Sequence, residues 1–357
     1  MYFLFVMYEK SDVWSGGYLY DEKLIEHLES KDIKVEIIKM QDHSYLENIE
    51  HNFSDDLLDR LSDDKADVIV QDELCHPSLF HINDMLEVKT PIVSVVHHLS
   101  HMAERDKERA EMYRYFESEY LKTVDGVICN SEGTKDTVKD LADLEKTTTA
   151  FPGKDHIDKD FISQDITQDI KSLDQGEPLK LLFVGNILPH KCIDILIEGI
   201  KDVDDVMLDI VGDKNINSDY TEKIENLVED EGVSSKVDIL GYVDQELLKN
   251  RFEEDHLLVL PSYFEGFGIT IVEALRFGMP AIVTERGGPS EIITEGREGL
   301  YVKPGDPKEI EKTIRRVTDE CGLIEHMSKK AYERYEELPS WTKSMEKVRK
   351  FLISIAE

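Results

Sequence analysis

Cysteine is scarce in this chain. Cys75, Cys129, Cys192 and Cys321 are the four in 357 residues, and they stand far apart with no paired spacing. That excludes a disulfide framework or a zinc knuckle, and it fits a reducing compartment, so a cytoplasmic location is expected. Basic residues are also in deficit: 42 Lys and Arg face 76 Asp and Glu, for a formal net charge of −34. Such a surface repels nucleic-acid phosphates and anionic lipid headgroups, so no nucleic-acid partner is expected. No apolar run approaches the roughly 18 residues that span a bilayer, so no transmembrane segment is expected. The apolar stretch Met1–Tyr8 has no basic region before it and no small-residue cleavage site after it. It reads as a buried strand and not as a signal peptide. Low-complexity tracts and short repeats are lacking too.

What remains is a hydrophobic fraction of 40%, enough for two packed cores at this length. The acidic residues are spread along the chain, as in Asp63-Asp64, Asp204-Asp205 and Glu253-Glu254-Asp255, which marks a solvated surface and not a tail. A salty cytoplasm, in which screening relaxes self-repulsion, is one setting that suits it.

Short Val/Ile/Leu-rich runs alternate with helix-period segments. Strands are predicted at Tyr2–Tyr8, Val35–Ile38, Val68–Gln71, Ile92–Val96 and Gly126–Cys129. A second series runs Lys180–Val184, Met207–Val211, Lys236–Leu240, Leu257–Leu260 and Ala281–Val283. Intervening helices are predicted at Tyr18–Ser30, Ala103–Leu121, Ile193–Ile200, Tyr220–Glu231, Glu246–Phe252 and Ile269–Phe277, with a last one at Trp341–Ile355. This alternation implies parallel βαβ units whose sheets are covered on both faces. The polar stretch between Phe161 and Pro178 is the predicted linker. The expectation is an α/β chain of two doubly wound, Rossmann-like domains, residues 1–162 and 177–338, facing each other across a cleft, with one more helix in 339–357.

The most informative segment is Leu260–Leu275, which follows a strand and opens a helix. Gly266 and Gly268 let backbone approach a ligand, and the helix start after them offers free N–H groups suited to a diphosphate. Glu265 precedes that start and Glu273 follows it, both placed to bond hydroxyls. Their spacing alone says little, since Glu111/Glu119, Glu246/Glu254 and Glu325/Glu333 share it. A purely structural alternative makes Thr270 the N-cap and Glu273 its N3 partner in a capping box. A dinucleotide fingerprint fits poorly, because Ile271 stands where the third glycine belongs.

This segment resembles the signature of family 4 of the retaining glycosyltransferases, group 1, which have the two-domain GT-B fold. The resemblance implies that Glu265 contacts a donor sugar and Glu273 its ribose. Gly185-Asn186-Ile187-Leu188-Pro189-His190-Lys191 resembles the strand–glycine loop of the family's second domain, where Lys191 would bind the donor diphosphate. Two residues depart from the pattern: Asn186 stands where arginine is frequent, and Cys192 where glycine is. Arg286 is a candidate substitute for that arginine. Gly241-Tyr242-Val243 resembles the nucleobase loop, Gly287-Gly288-Pro289-Ser290-Glu291 a glycine-rich turn, and Ser262 and Phe267 flank the glutamate loop.

In the first domain, Trp14-Ser15-Gly16-Gly17 resembles the family's phosphate-facing glycine loop. His97, with His98 beside it, stands at a strand end where the family places a histidine next to the donor sugar. Asn130-Ser131 and Pro152-Gly153-Lys154 also recur there. Gln71-Asp72-Glu73 is a candidate acceptor contact. The helix with Arg105, Lys107, Arg109 and Arg114 near Tyr113, Tyr115 and Phe116 is a candidate for peripheral membrane contact, although interleaved acids favour a salt-bridged helix.

The resemblance thus implies transfer of a hexose-type sugar, with retention, from a UDP- or GDP-linked donor to an unidentified acceptor. Catalytic roles fall to His97, Glu265 and Lys191, with no cofactor and no metal. Alternatives are a sugar-nucleotide epimerase of the same fold and a catalytically silent donor-binding subunit. The sequence does not indicate an oligomeric state.

Overall fold

The computed structural model describes residues 1–9, 15–62, 65–87, 89–155, 170–174 and 176–357. Trp14 and most of the polar stretch predicted as a linker lie outside the described residues. The chain divides into two compact units, Met1–Gly153 with Pro339–Glu357, and Lys154–Leu338.

The first unit is built on six parallel strands: β1 (Tyr2–Tyr8), β2 (Lys34–Met40), β3 (Val68–Asp72), β4 (Ile92–Val96), β5 (Gly126–Cys129) and β6 (Thr147–Thr149), in the order β2-β1-β3-β4-β5-β6. Every residue of β3, β4 and β5 is buried. That is why these strands read as continuous apolar runs without alternation. The strand order reverses between β1 and β3, and the carboxyl ends around such a reversal are where doubly wound sheets bind ligands.

The helix Gly16–Glu29 follows β1 and starts at Ser15, whose side chain accepts from the Tyr18 amide. The last helix, Trp341–Ala356, belongs to this unit. Its buried positions Trp341, Met345, Val348, Leu352 and Ile355 recur every three or four residues and form one apolar stripe. His27 Nε2 meets Glu346 Oε2 at 3.1 Å, tying this helix to Gly16–Glu29.

The predicted helix Ala103–Leu121 is broken. A short turn ends at Ala103, and the main helix runs Lys107–Leu121. Asp106 causes the restart: its carboxylate accepts from the Arg109 amide and caps a new helix. This helix buries Tyr113, Glu117, Tyr120 and Leu121, and Arg109 bonds Tyr113 and pairs with Glu104, so part of its basic face is spent on internal partners.

The second unit has strands β7 (Leu179–Val184), β8 (Val206–Val211), β9 (Val237–Gly241), β10 (Leu257–Leu260), β11 (Ala281–Thr284) and β12 (Gly299–Val302), all parallel, ordered β12-β11-β10-β7-β8-β9. Here the order reverses between β7 and β10. The loops after those two strands therefore emerge side by side at the switch point.

Candidate donor site

In the second unit, the segments after β7 and β10 meet. The Tyr263 amide donates to the His190 carbonyl at 2.7 Å. Lys191 Nζ reaches Glu265 Oε2 at 2.7 Å, and the buried Ser262 hydroxyl donates to the same oxygen at 3.2 Å. Both partners of the ion pair keep 17% of their side-chain surface exposed, so the pair can open toward a ligand. The loop after β11 joins them: the Gly288 amide donates to the Glu265 carbonyl at 3.0 Å. Three strand ends thus fix Glu265.

The helix Ile269–Arg276 begins at Gly268, which has φ +95° and ψ +61°. That left-handed geometry favours glycine, and a Cβ there would lie 2.6 Å from Ile271 Cδ1. Gly268, not Thr270, is the N-cap. The capping box expected as the structural alternative for Glu273 is therefore absent, and Glu273 sits half-buried beyond the helix's first turn. The first N–H groups of this helix supply partial positive charge next to Lys191 and Glu265.

Gly266 and Phe267 are buried and Asn186 is half-buried, while Gly185 follows β7 directly. Tyr242, after β9, is 77% exposed, with Val243 half-buried beside it. Arg286 lies over the Tyr263 ring at 5.1 Å, at the edge of the same loop cluster. Cys192 adopts φ +56° and ψ +39°, the conformation that a glycine there would favour. The departure from the family pattern changes the side chain and keeps the backbone.

In the first unit, His97 follows β4 and is 5% exposed. Its Nε2 lies 3.0 Å from Asp21 Oδ1 and 3.9 Å from Asp72 Oδ1, and its carbonyl accepts from Asn130 Nδ2 at 2.6 Å. Gly17 packs over the ring, where an added Cβ would stand 3.1 Å from Cδ2. Gly16 lies one residue before it, at the exposed start of the helix. Burial alone would lower the His97 pKa, but the charge and hydrogen bond of Asp21, with Asp72, outweigh it and hold the group at about 9. Burial, then the Asp21 charge, pushes Asp72 up to about 8. Near neutral pH this favours an imidazolium at His97 and a protonated carboxyl at Asp72. Nδ1 of His97 and Oδ2 of Asp21 are buried without hydrogen-bond partners among the described residues.

His98 is half-buried and His101 is bound to Glu117, while His97 is the buried histidine at the strand end and is held by Asp21. The suggested acceptor contact Gln71-Asp72-Glu73 is buried, and its side chains face inward. Gln71 bonds Asn83 at 2.8 Å, Asp72 faces His97, and Glu73 pairs with His76. Asp21 was not singled out from sequence. It sits mid-helix in an acid-rich chain and meets His97 only through a contact 76 residues apart. Ser131 serves as the N-cap of the helix Glu132–Leu141, and Lys154 bonds the Tyr335 and Glu336 carbonyls.

Residues 165–334 match the family described as Glycosyl transferases group 1. An uncharacterized glycosyltransferase of Methanocaldococcus jannaschii is 32% identical over 168 residues, 45% of this chain and 42% of that protein. The chain matches less than half the length of this and other curated relatives, 46% and 37% of two more. Sucrose-phosphate synthase from Thermosynechococcus elongatus superimposes with a TM-score of 0.78 at 18% identity, covering 99% of this chain and 98% of that one. Anabaena HepE, solved with UDP-glucose, gives 0.74 at 17% identity over 99% of this chain and 100% of that one. No helix among the described residues is long and apolar enough to cross a membrane. The two six-stranded parallel sheets and these likenesses establish the GT-B fold, and within the second unit the chain matches the family described as Glycosyl transferases group 1.

Proposed function

We propose that the chain is a retaining glycosyltransferase using a nucleotide-diphosphate sugar. The observation that carries this reading is the Lys191–Glu265 pair beside the Gly268 helix start, at the reversal between β7 and β10. That constellation offers an ammonium and free backbone N–H groups to a diphosphate, and a carboxylate to sugar hydroxyls. Glu273, freed from a capping role, is assigned to the ribose, and Tyr242 and Val243 to the nucleobase. HepE's complex with UDP-glucose supports a donor of this class.

In the reaction, the bond from the anomeric carbon to the diphosphate oxygen breaks as the acceptor oxygen attacks from the same face. The acceptor's proton passes to the departing diphosphate. Lys191 and the helix start stabilise the negative charge that develops there, and the transition state has oxocarbenium character. His97, held as an imidazolium by Asp21, is assigned to a substrate hydroxyl.

The test is incubation with a panel of UDP- and GDP-linked hexoses, following nucleoside-diphosphate release. A transferase releases diphosphate with acceptor, or slowly to water. An epimerase changes the sugar without release, and a silent subunit does neither. Glu273→Ala is expected to weaken donor binding about tenfold or more, roughly 1.4 kcal/mol. Wild-type affinity in that variant would refute the ribose assignment.

A further inference from the structure

A second group of buried ionisable side chains in the first unit has no part in the donor reading. Glu73 lies in the turn after β3, His76 follows it closely, and Glu117 comes from the helix Lys107–Leu121. Their exposures are 0%, 1% and 0%. One carboxylate oxygen from each glutamate and a ring nitrogen of His76 all lie within 4.8 Å of one another. His76 Nδ1 is 3.0 Å from Glu73 Oε1. Glu73 Oε2 is sealed from solvent and receives no hydrogen bond among the described residues. A buried carboxylate oxygen without a partner is costly, and a cation is one of the few ways to satisfy it.

We propose that Glu73, His76 and Glu117 hold a divalent transition-metal cation of the manganese-to-zinc class. Two carboxylates and a neutral imidazole balance a doubly positive ion, and the imidazole favours a transition metal over calcium or magnesium, which take oxygen ligands. An outer layer that would orient these ligands is already present. His76 Nδ1 lies 3.0 Å from both the Glu73 carbonyl and Glu73 Oε1, so it must give up that donation to ligate; Tyr45 Oη, 2.7 Å from Nε2, would then accept from Nε2–H and hold the ring. His101 holds Glu117 through its ring Nδ1 and, at 3.2 Å, through its backbone amide. Ligand atoms around a cation with bonds near 2.1 Å stand about 3–3.5 Å apart, so binding draws the three groups inward. Protons on Nδ1 and on either carboxyl leave to solvent as the ion enters. The ion would tie the end of β3 to the helix Lys107–Leu121, a structural role independent of glycosyl transfer. It runs against the metal-free expectation from sequence, because the third ligand, Glu117, comes from a helix distant in the chain.

The test strips the full chain with EDTA and dialyses it against Mn²⁺ or Zn²⁺, with millimolar Mg²⁺ present to occupy the acidic surface. Metal content and melting temperature are then measured. The expected result is one equivalent retained per chain and a raised Tm. Glu73→Gln and Glu117→Gln should each lower affinity at least tenfold. Tyr45→Phe keeps the ring and all three ligands and should lower it about tenfold. If the glutamate variants do not fold, Tyr45→Phe decides. No retention of either metal, or wild-type affinity in Tyr45→Phe, overturns the proposal.

Discussion

Cys192 pays for a left-handed backbone that glycine would adopt freely. It sits at φ +56°, fully buried, at the start of the helix Ile193–Ile200. A non-glycine residue there costs about 1 kcal/mol, and removing its buried side chain costs about as much. Cys192→Gly should therefore shift stability by less than about 1 kcal/mol, read from the urea midpoint at unchanged slope. Cys192→Val puts a β-branched side chain at positive φ and should cost about 2 kcal/mol or more. Equal midpoints for the two variants would contradict the assigned backbone. The glycine and glutamate loop was legible at this scale because its chemistry is local: a strand, a turn needing positive φ, and a helix start are contiguous in sequence. Asp21 was not legible, because its role depends on a distant partner and nothing marks it among 76 acidic residues.

At the scale of elements, close approach outweighs propensity. Gly199 lies in the helix Ile193–Ile200, against the helix Pro307–Asp319. A Cβ at that position would come 2.7 Å from Ile310 Cγ2 and 3.0 Å from the Pro307 carbonyl. Gly199→Ala gains about 1 kcal/mol of helix propensity, but overpacking costs about 1–3 kcal/mol. The variant is expected to melt below wild type, and a higher Tm would show that the helices separate at little cost. Ten of the twelve strands among the described residues match the predicted ones, most within a residue or two of their ends. β6 and β12 were missed. β6 is three threonines with no apolar signal, and β12 is a four-residue edge strand in a polar surround. β6 thus lacks an apolar run altogether, and in β12 the run is only Leu300-Tyr301-Val302, too short to mark a strand although Leu300 and Val302 are buried.

For the whole molecule, charge dominates. Acidic residues number 76 against 42 basic ones, so repulsion exceeds what the surface pairs recover. Exposed pairs such as Lys329–Glu325 and Arg315–Glu311 contribute little each and weaken with salt. Screening should relieve more repulsion than attraction, because the Debye length falls from about 30 Å at 0.01 M to about 3 Å at 1 M. Tm is expected to rise from dilute buffer to 1 M KCl, and a flat or falling Tm would contradict this.

The amino-acid order alone specified two series of parallel strands and the glycine–glutamate loop after β10. Apolar runs, glycines and helix starts are nearest-neighbour properties that a chain carries before it folds. Tertiary structure decided which charged groups are buried and with whom: Lys191 with Glu265, His97 with Asp21, Glu73 with His76. Burial and pairing arise from contacts between segments distant in sequence, and in a chain this acidic no local pattern singles out the few carboxylates that leave water.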